Sequence, residues 1–478
     1  MRSAKALLSV VLAGAFLAGC GSGSSTPAKG AGKEGKRESG GATAEPLTEI
    51  TAPSGYKSRE GWQQRLTWLP EGAKTVPVAA SAQSDRVAYL TVIDETGYAV
   101  QVRNASTGTV EWTGKPWSPP TPLSEVTEAS SFQSDEPELP GVTTVHQQGR
   151  DYVVAWAHGV RGRDELNSGK EVVELQIFPV HASGKSVAPA HRVSVPLKNE
   201  DDSTPLVNAD PDDLQVRDGG AGLVVTWDGY STFGASVDME TGKVTSYGNG
   251  SKLGVECEVE GCTARVAAIT ADGPVAAGEM DGGFEVPGHW SSQDVIPDGA
   301  SKGPLRKSGD RNGAIVGTAG TRLVAEWSPE GEDTQDDRIW SVHDTANGRI
   351  QASTACAATN VSALDTEDEP RVVASPSGRY VAYGPVLFDT RDRKGTCLAG
   401  DESRKGVLIS AVGDDGIAYA GVPFADTEGT VAEVRAADGT VKALPIGTEL
   451  PLRVLKGSGL FVTRNNGAGL LVTGLENR

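Results

Sequence analysis

The sequence predicts an all-β chain built of repeated four-stranded units, on three observations. A short β-branched run, most often ending in an aromatic residue, recurs eight times at about 53 residues per unit, close to the ~40 to 50 residues of a four-stranded blade. A second unit, strand, glycine turn, strand, follows several copies of the first. And 60 glycines and 27 prolines among 478 residues punctuate the chain, with no long apolar pattern of helical period. Together these point to a closed β-propeller.

The recurring run reads RVAY (86–89), YVVAW (152–156), LVVTW (223–227), PVAAG (274–278), LVAEW (323–327), YVAY (380–383), GIAY (416–419) and LFVT (460–463). Each copy is expected to form the inner strand of a blade. Eight copies predict eight blades, and the weak copy at 274–278 makes seven the alternative count. The companion unit reads VQVRNASTGTVEW (100–112), ASVDMETGKVTSY (235–247), WSVHDTANGRIQAS (340–353) and AEVRAADGTVKAL (432–444), the outer hairpins of blades. Gly108, Gly242, Gly348 and Gly439 stand where such a turn needs positive φ, which only glycine adopts without strain. Trp156, Trp227 and Trp327 recur at one blade position and are expected to fill the gaps between blades, with a sugar-stacking platform as the alternative.

A longer echo supports the count of eight. WQQRLTWLPEGAK, from Trp62, and WSSQDVIPDGASK, from Trp290, both run from Trp to Leu/Ile-Pro-acid-Gly-Ala, and four copies of the run follow each. Residues 452–474 supply about three strands, one short of a blade, and QQRLTWL (63–69) can supply the fourth from the N-terminal side. Such a closure covers the sheet edges where the two ends meet. The propeller is therefore assigned to residues 62–478.

The hairpin pattern, an aspartate or its equivalent, two or three residues, Thr-Gly or Asn-Gly, a small or basic residue, then Val or Ile, resembles the repeats of quinoprotein-like (PQQ-like) and WD40-like β-propellers. The resemblance is loose and spans residues 62–478, so it implies a fold more than a function. Quinoprotein dehydrogenases of this kind imply a calcium site near the axis and a pair of adjacent cysteines on the cofactor. No two cysteines are adjacent here, and no cofactor is expected.

The N-terminus reads as an export signal. Arg2 and Lys5 precede the apolar run LLSVVLAGAFLA (7–18), about half the ~20 residues of a spanning helix, so residues 1–19 are expected to be a signal peptide. Leu17-Ala18-Gly19-Cys20 resembles the lipobox of bacterial lipoproteins. By that resemblance Cys20 becomes the first mature residue, carrying a thioether-linked diacylglycerol and fatty acyl chains such as palmitate. Residues 20–61 then form a lipidated cysteine and a flexible tether, since GSGSSTPAKGAGKEGKRESGGATAE (21–45) has nothing to bury.

Cys257, Cys262, Cys356 and Cys397 remain, an even number that suits an oxidising exterior. Three pairings are open; Cys257 with Cys262 and Cys356 with Cys397 are favoured. A zinc site lacks a second short cysteine or histidine pair. The formal charge of −19 becomes −21 once residues 1–19 take Arg2 and Lys5 away. Such a surface repels nucleic acid and anionic headgroups, so membrane contact is expected through the lipid alone.

Local catalytic motifs are lacking. A Ser-x-x-Lys at 54–57 lies in the tether region, and no Gly-x-Ser-x-Gly elbow follows a strand. His146, His158, His181, His191, His289 and His343 show no metal-ligand spacing. Acidic runs at Asp210 to Asp213, Glu330 to Asp337 and Asp365 to Glu369 read as solvated loops, with calcium as the alternative. The expectation is a monomeric, extracytoplasmic, lipid-anchored membrane protein whose propeller is a non-enzymatic binding or scaffolding module for an envelope protein or cell-wall ligand. The alternatives are a hydrolase or lyase with a site assembled from several blades, and an assembly factor for envelope proteins.

Overall fold

Eight four-stranded antiparallel sheets follow one another along the chain in a computed structural model, and they are the eight blades of an all-β propeller. It describes residues 47 and 50–478, except 71–72, 74, 94–96, 127–137, 199–208, 210–212, 229–231, 249–252, 254–263, 279–281, 302–312, 332–336, 358–370, 424–428 and 465–468. Blades 1 to 8 begin with the strands Val78–Ser81, Gly141–Gln147, Gln215–Asp218, Ala264–Thr270, Ala314–Ala319, Val373–Ala374, Leu408–Val412 and Arg453–Val454. These first strands meet one another between neighbouring blades, which puts them on the inside of the ring. Blade 1 gains a fifth strand, Gly184–Val187 from the last turn of blade 2, paired in parallel with Val110–Gly114.

The recurring runs lie one strand further out than expected: all eight fall in the second strand of a blade, not the innermost. The reason is burial. A second strand has hydrogen-bonded neighbours on both edges and other blades on both faces, so its side chains are buried throughout, as in Leu223–Trp227. An innermost strand borders the axis, and its buried positions are interrupted by partly exposed ones, as in Gly141–Gln147.

Apolar packing follows the ring. Eight clusters of buried residues form among the described residues, and each joins two successive blades, from Val142 and Phe178 between blades 1 and 2 to Tyr419 and Phe461 between blades 7 and 8. No blade has a core of its own. Trp227 and Trp327 are 1 % exposed and fill such gaps, whereas Trp156 is half-buried against the gap between blades 2 and 3.

Four hairpin glycines reveal a two-blade period. Gly108, Gly242, Gly348 and Gly439 lie between the third and outermost strands of blades 1, 3, 5 and 7, with φ of 67°, 70°, 68° and 71°. Each amide donates to the carbonyl four residues back. A Cβ on each would strike the outermost strand of the preceding blade, at Trp62, His191, Trp290 or Thr396. The two tryptophans that open the sequence echo thus do the same job half a ring apart.

Ring closure comes from Tyr56–Leu66, which pairs antiparallel with the C-terminal strand Leu470–Asn477 as the outermost strand of blade 8. This strand starts before residue 62 and ends at Leu66, before the Leu69 of the expected stretch. Lys57, from the Ser-x-x-Lys, is in it and pairs with Glu60 and Glu476 at 2.9 and 3.1 Å.

Blades 4 and 5 enclose a titratable group. His343 is fully buried; its Nδ1 donates to the Gly348 carbonyl at 2.8 Å, and its Nε2 accepts from Ser341 Oγ at 2.7 Å. Ser341 accepts in turn from Trp327 Nε1 at 2.7 Å. This chain is complete only with neutral imidazole, and burial, against the Gly348 bond, pulls the pKa down to about 4. The unfolded histidine takes up its proton near pH 6.5. Stability from this group is therefore full above that pH and lost as pH falls toward 4. Between pH 7 and pH 5 the wild type is expected to lose about 2 kcal/mol more than His343→Gln in urea unfolding; equal losses would contradict the assignment.

Candidate functional site: arginines on the axis and a cavity between blades 1 and 2

An antiparallel meander puts the turns between first and second strands, and between third and outermost strands, on one face of the ring. The turns between second and third strands lie on the other. On the first face a cavity of about 420 Å³ opens between blades 1 and 2, lined by Gln83, Ser84, His146, Arg150, Asp151 and His181 among others.

Strand register builds its floor. His146, near the end of the first strand of blade 2, stands opposite Asp151 at the start of the second. His146 Nδ1 lies 2.5 Å from Asp151 Oδ1, while Asp151 Oδ2 accepts from Ser81 Oγ of blade 1 at 2.6 Å. Ser84 Oγ donates to Ser81 Oγ at 2.6 Å. Burial opposes the charge on Asp151, but the bonds from Ser81 and His146 outweigh it and hold the carboxyl below its usual range. Serine, aspartate and histidine meet here with the carboxylate in the middle. The serine proton goes to Asp151, so His146 is not placed to activate that hydroxyl as a base between serine and acid would be. The network locks two blades together and leaves hydrogen-bonding groups facing the cavity.

The axis has a different character. Arg217 in the first strand of blade 3 donates from Nη1 to Thr318 Oγ1 of blade 5 at 3.0 Å, and Arg265 of blade 4 donates to the Ile315 carbonyl at 3.3 Å. Arg453 opens the first strand of blade 8, and Arg371 precedes that of blade 6 by two residues. Burial and the neighbouring Arg265 pull the Arg217 pKa down to about 10. Burial of the guanidinium, then Arg371, lowers the Arg453 pKa, with Asp218 opposing, while the residue as a whole keeps contact with solvent. Asp218 accepts from the Gly220 amide at 2.8 Å; burial raises its pKa, and that bond offsets part of the rise.

Sequence reasoning did not single out these arginines. A signal was present: Arg-Val opens or precedes the first strand in ARVAAIT, PRVVAS and LRVLKG. Ser81, His146 and Asp151 left none, because three separate strands supply them.

Of the residues singled out, Cys356 and Cys397 form a disulfide with an S–S distance of 2.04 Å, between the outermost strands of blades 5 and 6. Cys20, Cys257 and Cys262 lie outside the described residues, as do Asp210, Asp212 and residues 332–336 and 365–369 of the acidic runs. Among the described residues no group of three or more His, Cys, Asp or Glu could hold a metal ion, and no helix is long and apolar enough to cross a membrane.

No family model matches the sequence, and no curated protein does. Among solved structures the chain is similar to an uncharacterized protein from Listeria monocytogenes EGD-e, with 8 % identity, coverage of 86 % and 98 % of the two chains, and a TM-score of 0.31. It is similar to YCF48 bound to a D1 peptide, with 10 % identity, 90 % and 98 % coverage and a TM-score of 0.33. The rhamnogalacturonan lyase YesW shows 11 % identity, 90 % and 74 % coverage and a TM-score of 0.33.

Proposed function

We propose that the chain is an extracytoplasmic lipoprotein, anchored through Cys20, whose propeller is a non-enzymatic binding module for an envelope protein or cell-wall ligand. The observation that carries this reading is the cavity between blades 1 and 2. Its volume of about 420 Å³ falls in the range of small-ligand and side-chain pockets. Ser84, His146 and Asp151 on its lining are held through Ser81 and by one another, so a ligand meets these groups with little reordering.

Anchoring and binding have separate tests. Cys20→Ala is expected to move the protein from the membrane fraction to the medium; retention in the membrane contradicts the anchor. A photo-crosslinking residue placed at Gln83, on the cavity lining, is expected to give one adduct of discrete mass in intact cells. The same residue placed at Leu166, 94 % exposed on the opposite face, is expected to give none. Identical adducts at both positions, or none at Gln83, would contradict the assignment of the binding face.

A further inference from the structure

We propose that the axis of the ring holds a second binding site, for a small multivalent oxyanion of phosphate or polycarboxylate type, held by Arg217, Arg265, Arg371 and Arg453. Its arginines are not among the residues that line the cavity between blades 1 and 2, although the His146 amide donates to Asp218 at 3.4 Å, and either site can fail without the other.

Charge is the first support. The chain carries 63 acidic and 44 basic residues, an excess of acid that ordinary sampling would carry into every part of the fold. The innermost strands invert it. They contain three arginines and one carboxylate, Asp218, and Arg371 adds a fourth guanidinium. Blades 3, 4, 6 and 8 supply the four, so only the closed ring assembles them.

Pairing is the second support. Several arginines elsewhere find carboxylates, such as Arg86 with Glu111 at 2.5 Å, Arg161 with Glu174 at 2.6 Å and Arg379 with Asp389 at 2.6 Å, while Arg103 spends its donors on four neutral oxygens. None of the four axial arginines is ion-paired with a described residue. Arg217 and Arg265 each give one hydrogen bond to a neutral oxygen, and a guanidinium has five donors. Arginine does not shed its proton at neutral pH, so the mutual repulsion that Asp218 leaves uncompensated stands until a further anion offsets it. Planar forks of donors match the oxygens of phosphate and carboxylate.

Size is the third. Arg217 reaches from blade 3 to blade 5, past blade 4. The Gly220 turn of blade 3 likewise lies against blade 5, where a Cβ on Gly220 would stand 2.8 Å from the Gly320 carbonyl. Contacts this close between alternate blades leave no room for a folded partner or a duplex, so the ligand proposed is a small ion.

The test is calorimetric titration of the full chain in detergent micelles with inorganic phosphate, pyrophosphate and citrate, at constant ionic strength, with sodium chloride as the control. Saturable binding with one ion per chain is expected, tighter for pyrophosphate and citrate than for phosphate. Arg217→Gln with Arg453→Gln is expected to weaken it at least about tenfold, whereas Lys442→Gln on an outermost strand leaves it unchanged. Arg371→Gln is the second variant, because Arg371 is exposed and bonded to no described residue, so its loss leaves the fold intact. Arg371→Gln should melt no lower than wild type without anion, since repulsion is relieved and no bond to a described residue is lost; a purely structural role would lower the melting temperature and leave affinity alone. No saturable heat with any of the three ions, equal binding of chloride, or unchanged affinity in both arginine variants would overturn the site.

Discussion

Removal of residues 1–66 should leave a chain that does not hold a closed ring. The deletion takes away Tyr56–Leu66 and with it the partner of Leu470–Asn477, whose backbone donors and acceptors then face water as an open edge. Tyr56, Trp62 and Leu66 leave two packing clusters, those between blades 7 and 8 and between blades 8 and 1. At about 2 to 3 kcal/mol for each large buried side chain, the loss is about 6 to 9 kcal/mol before backbone pairing is counted. That is comparable to the whole stability of many domains. The deleted chain is expected to aggregate on refolding and to lack a cooperative melting transition. The point variant Trp62→Ala isolates part of the effect. Trp62 donates from Nε1 to the Ala105 carbonyl at 2.6 Å and packs over Gly108 and Gly474, so a loss of about 3 to 5 kcal/mol is expected in urea unfolding. A soluble deletion product with the wild-type melting temperature would contradict closure by this strand.

The second large effect is expected at the disulfide. Cys356 and Cys397 close a loop with a sequence separation of 41 and join blade 5 to blade 6 by their outermost strands, far from the axis. In the chain-entropy account a loop of this length contributes about 3 to 4 kcal/mol by restricting the unfolded chain. Replacing both cysteines by alanine should therefore lower the unfolding free energy by about that amount, and reductant should do the same to the wild type. Losses below about 1 kcal/mol would show that the unfolded chain gains little freedom when the link is cut.

What could be read from the sequence follows from burial. The second strand of each blade is enclosed on both edges and both faces, so it reads as an unbroken apolar run such as LVVTW or LVAEW, and eight such runs counted the blades. The hairpin glycines were legible because the turn demands a conformation that other residues resist. The innermost strands were not, since Val373–Ala374 and Arg453–Val454 are only two residues long and carry no period. Both candidate sites share that cause. Arg217 and Arg453 stand 236 positions apart in the numbering, and Ser81 meets Asp151 across 70; the ring, not any local spacing, brings them together.

A propeller that binds through its axis as well as between blades 1 and 2 is tested most directly by a crystal structure of the chain grown with phosphate. The expected result is an oxyanion on the axis, within hydrogen-bond distance of Arg217 and at least two of Arg265, Arg371 and Arg453. Phosphate bound only on the outer surface, with the axis closed by side chains or holding water alone, would contradict it.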